Sequence, residues 1–208
     1  DLIAQISAAL EGKAVGDSGG SSGALPEGDF SDPDYVYAVT RPKDWLPMPV
    51  PEDDEIYLLN LIPEGTDGVF NAHLAFKGSC TVEIGILSNG VFTVKETFVP
   101  VTGEWFTKTI CSDGYGNATY NGYKQYLVRI KGNVTRLNLA SGNKENYTTG
   151  VPYLVEIACG MKTDLKCGSA TPSTGCPFLK YVRFTGNGGL SGSTGQTFRG
   201  CISLMSVS

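Results

Sequence analysis

The sequence has little histidine and no excess of positive charge. Its 208 residues include one histidine, His73. This excludes a metal site built from several histidines, and a Ser-His-Asp triad would depend on that residue alone. Lys plus Arg number 16 against 21 Asp plus Glu, so the net charge is −5. Because nucleic-acid-binding domains normally present a basic face, the charge balance argues against a nucleic-acid partner.

Long apolar runs are also missing. No stretch approaches the ~18 consecutive apolar residues that a membrane-spanning helix requires, so the sequence predicts no membrane insertion. Charged residues make up 18% of the chain, below the average of about 25%. Glycine is abundant at 27 residues, together with two Trp, ten Tyr and nine Phe. This composition favours short strands joined by many turns over long helices.

The six cysteines include no C-x-x-C pair, so they do not support a zinc site or a dithiol redox site. A chain of this length does not need a disulfide framework to fold. We interpret them as buried free thiols, which pack as small apolar groups. A local bridge between Cys159 and Cys167 is the alternative. The sequence predicts no cofactor, no metal site and no catalytic residues.

The first twelve residues predict a short amphipathic helix, with Asp1 as its N-cap and Gly12 at its end. A helix of this length is marginal alone in water, so we expect it to serve in oligomerisation or docking. Packing against its own domain is the alternative. Residues 13–32 are rich in Gly and Ser and predict a flexible linker. The predicted oligomerisation residues are Leu2, Ile3, Ile6 and Leu10.

Residues 33–140 predict an antiparallel β-sandwich, because strands alternate with turns about every ten residues. Asn89-Gly90 lies between two alternating strands and is typical of a type I′ hairpin. The alternation over residues 35–39 predicts a strand. Four prolines between residues 42 and 51 then predict an extended arm. We expect Trp45 to clamp this arm over the sheet; a proline-rich ligand segment is the alternative.

The strongest signal is a repeat within the range 141–208. Segments beginning at Gly150, Gly175 and Gly200 each carry a Leu four positions later and a Val or Ile three positions after that. A period of about 20 to 29 residues with such strands is typical of a leucine-rich-repeat solenoid. Equivalent strands would stack about 4.8 Å apart and align matching side chains. The predicted repeat core consists of Leu154, Ile157, Leu179, Val182, Leu204 and Val207.

Residues 112–123 have the composition of a ligand-binding loop. Exposed aromatic rings stack on sugars, and Tyr, Gly and Asn suit adaptable recognition. A Tyr-rich structural turn is the alternative. The segment 113–117 also offers oxygen ligands for calcium, but it lacks EF-hand spacing. The candidate ligand-binding residues are Asp113, Tyr115, Asn117, Tyr120 and Tyr123.

Acidic residues elsewhere offer two weaker chemical interpretations. The run 53–55 could bind a cation, although a solvated loop before a strand explains it as well. Glu83, Glu96 and Glu104 could supply a glycosidase pair. Nothing in the sequence places any two of them the roughly 5 to 10 Å apart that this reaction needs. We therefore predict that the protein is not an enzyme.

The segment 196–207 resembles the BspA-type leucine-rich repeat, whose recurring phrase is AF-x-x-C-x-x-L-x-x-[IV]. The resemblance rests on Phe198, Cys201, Leu204 and Val207 and extends over the last third of the chain. The middle repeat departs from the phrase, with Ser173 at the Phe position. Such repeats occur on bacterial surface adhesins and in phage-encoded proteins, so the resemblance implies a fold without selecting one function.

The front of the chain resembles the start of tail- or fibre-associated proteins of phages and prophages of Gram-positive gut bacteria. The resemblance rests on the amphipathic helix, the Gly/Ser linker and the segment 41–49, RPKDWLPMP. It implies a homotrimeric virion protein that docks on other virion proteins and presents its repeats to a host-surface glycan or protein. Two alternatives stay open: an extracellular adhesin on a bacterial cell surface, and a monomeric carbohydrate-binding module.

Overall fold

The computed structural model describes residues 28–88, 90–115, 118–140, 153–168, 175–191, 197–198, 201 and 203–208. The predicted helix over residues 1–12, with Leu2, Ile3, Ile6 and Leu10, and most of the linker lie outside the described residues, so both stay predictions. Within the described ranges, none of the helices has the length and apolar content that crossing a membrane requires.

The described residues are mainly β, and their strands form one mixed sheet. The part of the chain that the structure describes contains two short helices, α1 (Pro33–Thr40) and α2 (Ser112–Tyr115). The strands are β1 (Glu55–Pro63), β2 (Asp67–Ser88), β3 (Val91–Phe98), β4 (Glu104–Cys111), β5 (Ala118–Tyr120), β6 (Tyr123–Asn138), β7 (Leu154–Cys159), β8 (Lys162–Lys166), β9 (Tyr181–Phe184), β10 (Gly189–Leu190) and β11 (Ser206–Val207).

The predicted strand over residues 35–39 is wrong, because this segment lies inside helix α1. The side chain of Asp32 caps the helix by accepting a hydrogen bond of 2.9 Å from the backbone N–H of Asp34. Pro33 occupies the first turn, where its missing N–H costs nothing. The helix ends before Pro42, which disfavours helical backbone at the preceding residue. These local signals outweigh the β propensity of the alternating run.

Strands β2 and β6 are long, and each pairs with different strands at its two ends. Residues 123–131 of β6 pair with β1, whereas residues 136–138 pair in parallel with β8. The pairing between β2 and β6 shifts register near Gly78 and Gly132, whose φ angles are 78° and 135°. A Cβ atom on Gly132 would overlap the carbonyl oxygen of Ser79. Glycine is therefore required where the two strands bend.

These bends divide the sheet into two halves, and buried side chains from both halves belong to one apolar core. The first half contains β11, β9, β7 and β1, then one end of β6 and one end of β2, and then β3. The short strand β5 pairs with the same end of β6. The second half contains β10 and β8 with the other ends of β6 and β2, and then β4. Leu58 and Ile157 from the first half and Leu74 and Leu165 from the second belong to the core. The strands within residues 33–140 pair antiparallel, as predicted, but they belong to a single mixed sheet that also includes the parallel strands after residue 140.

The strands on either side of residue 140 share this sheet. Strand β1 pairs with β7, and β6 pairs with β8. The two ranges 33–140 and 141–208 therefore contribute to the same core. The division of the chain at residue 140 into a sandwich domain and a repeat domain stays a prediction.

Candidate functional site

Strands β7, β9 and β11 stack in parallel with a constant step along the sequence. Glu156 of β7 pairs with Tyr181 of β9, which pairs with Ser206 of β11. The spacing of Gly150, Gly175 and Gly200 predicts this same offset. The position one residue later is occupied in turn by a branched side chain, namely Ile157, Val182 and Val207. We call this arrangement of three strands the parallel ladder.

The predicted repeat-core residues occupy equivalent places along this ladder. Leu154, Ile157, Leu179 and Val182 are fully buried. Leu204 is partly buried against the core, and Val207 is 37% exposed. Burial therefore decreases toward β11, which is the last strand at this side of the described sheet.

Three buried thiols lie beside the parallel ladder. The backbone N–H of Cys176 donates to the carbonyl oxygen of Cys167 at 3.0 Å, and the Sγ of Cys201 lies 3.6 Å from the same oxygen. Burial raises the pKa of Cys159 to about 11 and that of Cys201 to about 12. Because the thiolate is the reactive form, Cys159 and Cys201 are poor nucleophiles. Cys159 and Cys167 are free, without the local bridge considered above.

Residues 41–50, which we call the arm, cover the outer face of the first half of the sheet. Trp45 is 3% exposed and belongs to an apolar cluster on this face. The amide of Gln125 donates to the carbonyl oxygen of Asp44 at 2.8 Å and accepts from the backbone N–H of Leu46 at 2.7 Å. The predicted clamping of the arm by Trp45 is confirmed.

A buried carboxylate anchors helix α1 to the same face. The side chain of Glu156 has no solvent exposure, and it accepts from the Tyr37 hydroxyl at 2.6 Å and from Arg41 Nε at 2.9 Å. The guanidinium of Arg183 lies 4.5 Å from the centre of the Tyr37 ring. Burial raises the pKa of Glu156, and the charge of Arg41 opposes this shift. Since an unpaired charge is costly at this depth, the network holds helix and arm on the sheet.

Sequence reasoning missed this network. A signal was present, because Glu156 stands among apolar residues in the strand Leu154–Cys159, of which every residue is buried. A charged side chain in such a strand normally has a partner. The sequence does not identify this partner, because Arg41 lies 115 positions away along the chain.

The predicted ligand loop is divided among three elements. Asp113 lies in α2 and is exposed, while Tyr120 and Tyr123 face each other across the hairpin between β5 and β6. The ring of Tyr120 lies 6.1 Å from that of Trp45, edge to face, so it helps to cover the arm. Tyr123 is 39% exposed. Tyr115 ends α2, and Asn117 lies outside the described residues.

An ion-pair cluster occupies the acidic run before β1. Carboxylate oxygens of Glu52, Asp54 and Glu55 lie within 4.8 Å of one another. The ammonium of Lys131 lies between 3.2 and 3.7 Å from all three. The ammonium group of Lys131 therefore already lies among the three carboxylates and offsets part of their charge, so this cluster carries no argument for a metal ion. Asp53, the other residue of the run, accepts from the amide of Asn187 at 3.0 Å.

The three glutamates considered as a glycosidase pair lie on different strands. Glu83 on β2 is ion-paired with Arg129, and Glu96 on β3 is ion-paired with Lys108 at 2.8 Å. Glu104 begins β4 and is exposed. Two of the three carboxylates are thus committed to ion pairs with basic side chains.

Comparison with known proteins does not assign a family to this chain. The chain matches no protein-family model, no curated protein and no solved structure. Its function is therefore inferred from the parallel ladder, the arm and the side chains of the sheet.

Proposed function

We propose that the chain is a non-enzymatic structural component of a phage virion, part of its tail or fibre, that takes part in attachment to the host surface. The observation that carries this proposal is the parallel ladder with its constant step along the sequence. Stacked units of equal length build an elongated coil, and such coils provide extended binding surfaces. A fibre component needs both properties.

The ladder also supports the proposed BspA-type repeat in the last third of the chain. Phe198 packs against the core, and Cys201 of the same phrase is buried. In this proposal residues 141–208 begin the host-facing part, and residues 33–140 form a spacer. The host-surface partner is a glycan or a protein.

The anchored arm supports a docking role for the N-terminus. The pair of Glu156 and Arg41 fixes the start of the described chain on the sheet, which would give a preceding docking element a firm attachment. We propose that Leu2, Ile3, Ile6 and Leu10 assemble three copies and bind other virion proteins. Such a chain would be located in the virion.

The oligomeric part of the proposal is tested by light scattering coupled to size exclusion. The whole chain and a version lacking residues 1–24 are compared. We expect a mass three times the 22.1 kDa of one chain, falling to a single chain after the deletion. A monomer in both experiments would overturn self-association. A trimer that survives the deletion would place the interface on the β-rich body.

The virion location is tested by electron microscopy of phage particles labelled with gold-bound antibodies against this chain. We expect label on the tail or fibre. Label on the surface of uninfected bacteria would favour the adhesin instead. A monomer that binds glycans and labels neither structure would favour a carbohydrate-binding module.

A further inference from the structure

The outer face of the second half of the sheet carries a straight row of four side chains. Trp105 of β4 pairs with His73 of β2, His73 pairs with Asn138 of β6, and Asn138 pairs with Lys166 of β8. Side chains of directly paired residues project from the same face of a sheet. With strands about 4.8 Å apart, the row is about 14 Å long. We call these four residues the lateral row.

The lateral row points away from the core. Its sequence neighbours Leu74, Leu137 and Leu165 are all buried in the core, and alternation along each strand places the row on the opposite face. The row itself retains exposure: Lys166 is exposed, and the other three residues are partly exposed. The lateral row is therefore open to a ligand without rearrangement of the sheet.

The aromatic end of the row has a fixed geometry. The rings of His73 and Trp105 lie 5.5 Å apart at an interplanar angle of 64°. The Nε2 of His73 lies 2.9 Å from the carbonyl oxygen of Gly103, within hydrogen-bond distance. A positioned indole of this kind offers a surface on which a sugar ring can stack.

The other end of the row is positively charged. Lys162 and Lys166 are exposed on β8, and neither forms an ion pair with another described residue. Between them, Asp164 is paired with Arg136 at 2.8 Å. The two ammonium groups therefore give this end of the row a local excess of positive charge, although the net charge of the chain is −5. This local charge is complementary to an anionic ligand.

We propose that the lateral row binds an oligosaccharide that carries carboxylate groups. A sugar ring stacks on Trp105, the amide of Asn138 hydrogen-bonds sugar hydroxyls, and Lys166 pairs with a carboxylate, with Lys162 beside it. The Oδ1 of Asn138 already accepts from the backbone N–H of Ala140 at 3.0 Å, which orients the amide, and its NH2 group supplies two donors for sugar hydroxyls. The inference rests on the proposed attachment function, because it names the chemical class of the host receptor.

A linear sugar chain matches this surface better than a protein partner does. Protein interfaces are built around a core of several buried apolar or aromatic side chains. The lateral row offers one large apolar ring, followed by an imidazole, an amide and an ammonium group in line. This sequence of groups suits a narrow, hydroxyl-rich and charged ligand.

The test is a titration of the whole isotope-labelled chain with tetragalacturonate, followed by amide chemical shifts, with maltotetraose as the neutral comparator. We expect shifts confined to the parts of β2, β4, β6 and β8 that carry the lateral row. Binding of tetragalacturonate should weaken as salt is added, because exposed charge pairs are screened. Maltotetraose should bind more weakly.

Two matched pairs of variants assign the binding to the row. Trp105→Ala should weaken the affinity for tetragalacturonate by about tenfold, whereas Phe178→Ala, at a residue 54% exposed elsewhere, should leave it unchanged. Lys166→Gln should weaken it about twofold to fivefold, whereas Lys95→Gln on β3 should not. Because Trp105 also contacts His73, Trp105→Phe serves as a second variant that keeps an aromatic ring, and it should retain most of the affinity.

The inference is overturned if tetragalacturonate gives no shifts on these strands at millimolar concentration, or if Trp105→Ala binds as well as Phe178→Ala. Equal binding of the neutral sugar would overturn the assignment of an anionic ligand. If the chain still adsorbs to host cells without binding the oligosaccharide, the inference is wrong and the attachment function stands. Oligosaccharide binding without virion label or adsorption would overturn the attachment function and leave the sugar site.

Discussion

Arg41 Nε donates to the carboxylate of Glu156 at 2.9 Å, and the glutamate side chain has no solvent exposure. The pair joins the parallel ladder to the residue that follows helix α1. Each charge compensates the other in a place from which water is excluded. The position of the arm therefore depends on both partners being present.

Replacing Arg41 by Met should destabilise the protein by about 3 kcal/mol, because it leaves the Glu156 charge buried without a counterion. Lys43→Met, at an exposed position in the same arm, should change stability by less than about 0.5 kcal/mol. Urea unfolding of both variants gives the comparison. The double variant Arg41→Met/Glu156→Met should recover stability relative to Arg41→Met, since no charge then remains buried. Equal losses for Arg41→Met and Lys43→Met would contradict the anchoring role of the pair.

The stability of the protein should depend on pH through Glu156. Burial raises the pKa of this carboxyl group above its ordinary value of 4.5, so the folded state binds its proton more tightly than the unfolded state does. Its contribution is therefore fully present below pH 4.5 and is lost as the pH rises through the raised pKa. We expect the free energy of unfolding of the wild type, measured relative to Glu156→Gln, to fall with rising pH. If the free energy of unfolding of the wild type relative to Glu156→Gln instead rises with pH, the ion pair with Arg41 has a larger effect on the pKa of Glu156 than burial has.

Thiol reactivity should distinguish Cys111 from the other cysteines. Cys111 is exposed, whereas the other five are buried, and burial raises the pKa of Cys80 to about 11. We expect Ellman's reagent to titrate one thiol rapidly in the native protein and all six after denaturation. Cys111→Ser should abolish the rapid reaction. Rapid reaction of a second thiol in the native protein would contradict this packing.

Two glycines at the bend should respond differently to substitution. Gly78 has a φ of 78° and open space where a Cβ would lie, so Gly78→Ala should cost about 1 to 2 kcal/mol of backbone strain. Gly132→Ala adds an overlap with the backbone of Ser79 and should cost clearly more. Denaturation midpoints of the two variants measure the difference. Equal midpoints would mean that the backbone yields at Gly132 without a penalty.

Local signals predicted much of the secondary structure. The predicted hairpin between β2 and β3 is confirmed, because Ser88 pairs with Val91 and Gly90 has a φ of 77°. Segment 35–39 shows the limit of such reasoning. A short alternating run is compatible with either a helix or a strand, and the Asp32 cap and Pro33 decided between them.

The candidate site was only partly predictable. Trp45 was identified as the clamp because prolines on both sides keep the arm extended and leave its large side chain to pack. The lateral row was not identified from the sequence. Its four members come from four strands, and the bends in β2 and β6 decide which parts of those strands become neighbours.

The sequence by itself determined the β-rich class, the two-residue hairpin and the constant step of the parallel ladder. Each depends on residues close in the chain or on a repeated spacing, and a repeated spacing fixes the register of stacked strands directly. Only the tertiary structure decided that Arg41 meets Glu156 and that Trp105 aligns with Lys166. These contacts depend on long-range strand pairing, whose register is set by the bends near Gly78 and Gly132 and by the shared core.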